Sequence, residues 1–125
     1  MKVLLDSSAI IEYIKGNENV LKAMEEAQDS YTSALCAFET LAVADKDEDV
    51  ESFISELSPL PFTLKDSKTA ANIYSSLAKV GKMVNVMDVL IYSQAAERGL
   101  GIITKDNDYS IMNNVTKYGL KIFAI

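Results

Sequence analysis

Lys2-Val-Leu-Leu-Asp-Ser-Ser-Ala-Ile-Ile-Glu-Tyr-Ile-Lys-Gly16 is the stretch on which the fold turns. Lys2–Leu5 reads as a short buried strand, and Asp6 interrupts its apolar run. From Ser8 to Lys15 the apolar side chains Ile10, Ile11 and Ile14 recur at helical spacing, and Gly16 closes the segment. A buried strand running directly into a helix is the opening unit of an α/β fold.

The same alternation continues outward. Val20, Leu21, Met24 and Ala27 mark a second helix, Ser30-Tyr31-Thr32 a brief strand, and Ala34–Ala44 a nearly all-apolar helix expected to be buried. The cluster Asp45-Lys-Asp-Glu-Asp49 suits a helix N-terminus, where carboxylates favour the positive end of the helix dipole. Val50, Phe53, Ile54 and Leu57 continue that helix up to Pro59. Leu60-Pro-Phe-Thr-Leu64 is expected as an edge strand, since each proline lacks a ladder donor. Ala70, Ile73, Tyr74, Leu77 and Val80 mark a long helix before Gly81, and Val86–Arg98 another, with Gly99 as its left-handed cap. Leu100–Thr104 is a strand, a turn with a short helix follows, and Leu120–Ile125 is a last strand. Strands joined by crossover helices predict a parallel sheet covered on both faces, a three-layer α/β/α sandwich in one domain, residues 1–125.

Composition narrows the chemistry. The 125 residues suffice for a real core, at 49% hydrophobic and 24% charged. Met1–Asp6 is too short for a signal peptide and no apolar run could span a bilayer, so no membrane is involved and a cytoplasmic protein is expected. Cys36 is alone, which excludes an intrachain disulfide and thiolate metal clusters, and its apolar surroundings suit a small buried hydrophobe. There is no histidine, and with it go imidazole bases, Ser-His-Asp triads and ordinary zinc sites. The formal charge of −6 runs against binding nucleic acid through a basic surface. A nuclease of this composition must reach phosphate mainly through a bound divalent metal.

Five carboxylates stand out from the 18 acidic residues. Asp6 ends an apolar strand, the place where parallel α/β sheets bind ligands, although it also fits an N-cap for the helix after it. Glu39 is the only charge in Leu35–Ala44, either on a narrow wet stripe with Thr40 or buried for a purpose. Asp88 is isolated among Met83–Ile91, where it also suits the first turn of a helix capped by Asn85. Asp106 and Asp108 follow the strand Gly101–Thr104, in a turn such residues form for local reasons. If these acids converge they raise one another's pKa unless neutralised. Mg²⁺ or Mn²⁺, hard ions that prefer carboxylate oxygen, would neutralise them and could acidify water and polarise a phosphoryl oxygen. Spacing alone does not establish the convergence.

The residues resemble the PIN-domain ribonucleases, most closely the small VapC-type toxins of toxin–antitoxin pairs. The resemblance runs along essentially the whole chain. It rests on Val3–Glu12 (strand, Asp-Ser, helix), Thr32-Ser-Ala34 with Phe38-Glu39, Gly81–Ile91 with Asp88, and Gly99–Tyr109 with Thr104, Asp106 and Asp108. It implies the three-layer fold, metal ligation by Asp6, Glu39, Asp88 and Asp106 with Asp108 as a further acid, and orientation of a carboxylate or water by Ser7 and Thr104. It further implies cleavage of single-stranded RNA with Mg²⁺ or Mn²⁺, a homodimer and a cognate antitoxin. Tyr109 stands where phenylalanine is commoner, a change expected to matter little. Lys15, Lys82 and Lys105 are candidates for phosphate contacts. The alternative is a catalytically idle or partner-dependent PIN-like interaction domain. A receiver domain needs an acceptor aspartate after a middle strand, which Asp45, Asp47 and Asp49 lack. A haloacid-dehalogenase phosphatase needs an aspartate where Ser8 stands.

Overall fold

The computed structural model describes residues 1–125. Its elements run β1 (Lys2–Leu5), α1 (Ser7–Ile14), α2 (Glu18–Glu26), β2 (Asp29–Thr32), α3 (Ala34–Ala44), α4 (Glu48–Glu56), α5 (Leu64–Lys79), α6 (Val86–Arg98), β3 (Gly101–Thr104), α7 (Asp108–Val115) and β4 (Ile122–Ala124). The four strands form one parallel sheet in the order β2-β1-β3-β4. The crossover from β1 to β2 (α1, α2) and the first part of that from β2 back to β3 (α3, α4) gather on one side, and its second part (α5, α6) on the other. Helix α1 accordingly packs with α2, α3 and α4, while α6 packs with α5 and α7. The expected α/β/α layering is what the chain adopts.

Both faces of the sheet are dry. Val3, Leu4, Leu5, Ile102 and Ile103 are fully buried, although consecutive strand residues point to opposite faces. That is why β1 and β3 are continuous apolar runs without alternation. Burying each such side chain is worth about 1.5–3 kcal/mol. They join Ile10, Ile73, Leu77, Ile91, Tyr92 and Met112 in one core cluster. At Gly101 a side chain would meet the Lys121 carbonyl oxygen at 3.0 Å and the Phe123 ring at 3.2 Å, so glycine lets β3 and β4 approach.

Several elements differ from their sequence expectation. Leu60–Leu64 is not a strand: Leu60 makes a single bridge to Ser33. Thr63 instead caps α5, exchanging bonds with Asp66 in a capping box, and this local pairing starts the helix at Leu64. Asp45 and Lys46 lie outside α4 with left-handed backbone, and Asp47 is the N-cap. The last strand is shorter than Leu120–Ile125 because Asn113 takes both backbone groups of Leu120. Helix α3 is not buried all round: Phe38 is 66% and Val43 75% exposed, so its apolar character continues onto the surface.

Candidate active site

The strand order reverses direction between β1 and β3, and a crevice opens at the carboxyl ends of strands around such a point. Asp6 leaves β1 there and Asp106 follows β3. Helices α6 and α7 add Asp88 and Asp108, each in its first turn. Carboxylate oxygens of Asp88, Asp106 and Asp108 lie within 4.8 Å of one another. All three residues are half-buried.

Asp6 stands slightly apart and is 4% exposed. It is the N-cap of α1, accepting from the Ala9 N–H at 2.9 Å, so the structural reading of this residue is correct. It also accepts from Ser8 Oγ at 2.6 Å and Thr104 Oγ1 at 2.5 Å. Burial raises its pKa despite these three donors, with the Asp106 charge adding to the rise. Thr104 Oγ1 in turn accepts from the Asp106 N–H at 2.8 Å, so one hydroxyl ties together the acids that end β1 and β3. Asp106 Oδ1 accepts from the Asp108 N–H at 2.9 Å, the local turn that its position suggested.

Asp88 is pushed up to about 8, first by burial and then by Asp106 and Asp108 beside it. The one side-chain donor that reaches it is the Tyr109 hydroxyl, 3.3 Å from Oδ1. Glu39 lies to the other side of Asp6, half-buried on α3, and accepts from Ser7 Oγ at 3.4 Å. Burial raises its pKa, Ser7 opposes this, and the Asp6 charge adds to the rise. Cys36, fully buried beneath Asp6 and Glu39, is a core residue whose thiol burial holds far from ionisation.

No lysine or arginine pairs with any of these acids. The three ion pairs of the chain are Lys65–Glu97, Arg98–Asp66 and Lys105–Glu12. Lys105, a candidate phosphate contact, thus has its ammonium held by Glu12 at 2.8 Å on the rim of the crevice. Crowded, partly dry carboxylates without a cation are a donor set of hard oxygens that fits a divalent metal.

The structure therefore brings Asp88, Asp106 and Asp108 into one cluster, with Asp6 adjoining through Thr104 and Glu39 adjoining Asp6. Asp108 sits as centrally as Asp106, more so than its place as a further acid implied. Sequence reasoning passed over Ser8, which donates to Asp6 and accepts from the Lys105 N–H at 3.0 Å, joining α1 to the β3–α7 turn. The doubled serine after Asp6 was the available sign. Tyr109, whose place in the motif phenylalanine more often takes and whose hydroxyl was expected to matter little, brings that hydroxyl to Asp88.

A parallel sheet in this order with acids gathered at its carboxyl edge defines a PIN-like α/β/α protein. The PIN domain family model matches residues 3–115, and the chain belongs to that family. Over 93 residues it is 37% identical to Ribonuclease VapC3 of Methanocaldococcus jannaschii, covering 74% of this chain and 97% of the relative. Solved structures share the fold. DNA-bound VapBC from Salmonella typhimurium aligns at a TM-score of 0.79 and 23% identity, covering 98% of this chain and 96% of the other. FitAcB from Neisseria gonorrhoeae aligns at 0.75 and 24%, with the same coverage.

Proposed function

We propose that this chain is a ribonuclease that hydrolyses phosphodiester bonds of single-stranded RNA with Mg²⁺ or Mn²⁺, and that it is the toxin of a toxin–antitoxin pair. The observation that carries the reading is the convergence of Asp88, Asp106 and Asp108 beside buried Asp6, with no protein cation among them. Family membership and the ribonuclease relative support it. Asp6, Asp88, Asp106 and Glu39 would hold the metal, with Asp108 beside them. Bound there, the metal would supply Lewis-acid polarisation of a phosphoryl oxygen and acidify water for in-line hydrolysis.

The protein's own part is placement. Thr104 fixes Asp6 and the start of the β3–α7 turn through one hydroxyl. Ser7 orients Glu39. Ser8 keeps that turn against α1. With a net charge of −6, RNA is drawn by the metal and by few cations of the chain itself.

The reading includes a single PIN-like domain over residues 1–125, a homodimer, a cognate antitoxin and a cytoplasmic setting. Structural neighbours that are VapBC complexes bound to DNA support the antitoxin. No helix is long and apolar enough to cross a membrane. A second reading, a catalytically idle or partner-dependent interaction domain, is favoured by the exposed apolar side chains Phe38, Leu41 and Val43 on α3.

The test is cleavage of mixed single-stranded RNA by the purified chain with Mg²⁺, Mn²⁺ or EDTA, alongside Asp6→Asn. Metal-dependent cutting that disappears in the variant supports the nuclease. Folded protein that cuts under no metal favours the second reading.

A further inference from the structure

We propose that Tyr109 is a positioning residue of the acidic site, its hydroxyl holding the Asp88 carboxylate toward Asp106 and Asp108. The inference rests on the metal-site reading above. Tyr109 occupies the first turn of α7, directly after Asp108, and is completely buried. Its ring is confined by the core, so its hydroxyl has a fixed place. That hydroxyl makes one hydrogen bond, to Asp88 Oδ1, and Asp88 receives no other from the protein.

Three of the other acids around the crevice have donors of their own, away from Tyr109. Asp6 has Ser8, Ala9 and Thr104; Asp106 has the Asp108 N–H; Glu39 has Ser7. Asp88 depends on a single core hydroxyl from another helix, 21 positions away. Once Asp88 is ionised, like-charge repulsion from Asp106 and Asp108 acts to turn its side chain aside. A donor fixed in the core opposes that rotation, and one turn of α7 supplies both an acid of the cluster and the restraint on another. A buried phenol without this bond would be a polar group withdrawn from water where phenylalanine fills the same space. The relation is that of an outer residue aligning a metal ligand.

The decisive measurement is Mn²⁺ affinity by isothermal titration calorimetry for the wild-type chain, Tyr109→Phe and the control Tyr74→Phe, exposed on α5. The expected result is affinity weakened by about 10–100-fold in Tyr109→Phe, the scale found for such outer residues, and unchanged in the control. Equal affinity in wild type and Tyr109→Phe overturns the role of Tyr109 while leaving the metal site. Absence of Mn²⁺ binding by the wild type removes both. Should Tyr109→Phe fail to fold, tyrosine-labelled wild-type protein decides by NMR. Mg²⁺ should then shift the Tyr109 ring resonances and Asp88→Asn should cancel the shift, whereas resonances indifferent to Mg²⁺ overturn the proposal.

Discussion

Asp6 and Asp66 both stand at helix N-termini and are almost wholly withdrawn from water, 4% and 1% exposed, yet their surroundings are opposite. Asp66 closes the capping box of α5 and receives a two-pronged bond from Arg98, at 2.9 and 3.1 Å. Burial by itself would raise its pKa, but the Arg98 fork, the Thr63 N–H and hydroxyl and the Arg98 charge carry it below the ordinary value. Asp6 has three neutral donors and no cation, and burial wins. A carboxylate whose charge the chain itself balances is part of the scaffold. One left unbalanced beside further acids is what the proposed metal site requires.

The comparison breaks first at the active end. Asp6→Asn keeps a capping side chain but removes a proposed ligand, so cleavage should fall about ten-thousandfold or more, the scale of losing one member of a catalytic unit. Circular dichroism should find the metal-free variant at least as stable as the parent. An unfolded variant would make Asp6 a capping residue only, like Asp66.

Asp66→Ala should do the reverse. It strands Arg98 and should cost about 3–5 kcal/mol in urea unfolding, the usual penalty for breaking a buried pair. Specific activity of the folded fraction should be unchanged. Lost activity in a stable Asp66→Ala would mean that this pair, too, serves the site.

The pH dependence of stability separates the two ends more gently. Asp88, raised to about 8, binds its proton more tightly folded than unfolded. Its contribution is complete below the unfolded value of 3.8 and is lost as pH rises through about 8. Asp66, lowered, gives a contribution present above 3.8 and lost as pH falls through its folded value. Melting of metal-free protein should therefore peak in mild acid and decline toward pH 8. Asp88→Asn should flatten the alkaline decline and saturating Mn²⁺ should offset it, because metal competes with protons for the same oxygens. A flat wild-type profile would contradict the crowding of these acids.

The smallest effect belongs to the rim. Glu12→Gln releases the exposed Lys105 ammonium and should leave the melting temperature essentially unchanged, since such pairs contribute little. Unchanged salt dependence of RNA cleavage would mean that Glu12 does not govern Lys105's access to phosphate, whereas a stronger dependence would show that Glu12 had restrained it.

Much of this was legible in the residues. Val3-Leu4-Leu5 and Ile102-Ile103 announced buried parallel strands, because only a sheet covered on both faces tolerates apolar side chains on successive positions. Asn85 and Gly99 marked the ends of α6. Apolar surroundings and strand ends singled out the acids, and the resemblance implied that they share one site. Asp66 gave no sign, lying in an ordinary polar stretch whose partner Arg98 is 32 residues away.

Sequence by itself determined most of the elements, the absence of histidine chemistry and the isolation of Asp6, Glu39 and Asp88 among apolar neighbours. These are local properties of spacing and composition. Tertiary structure decided which acids meet: Asp88, Asp106 and Asp108 as a cluster, Asp6 beside them through Thr104, Glu39 further out. It also decided that Asp66 finds a cation and Asp6 does not, and that Tyr109 reaches Asp88. Burial and charge compensation depend on what other elements bring to a point in space, and side-chain spacing along one strand or helix carries no record of that.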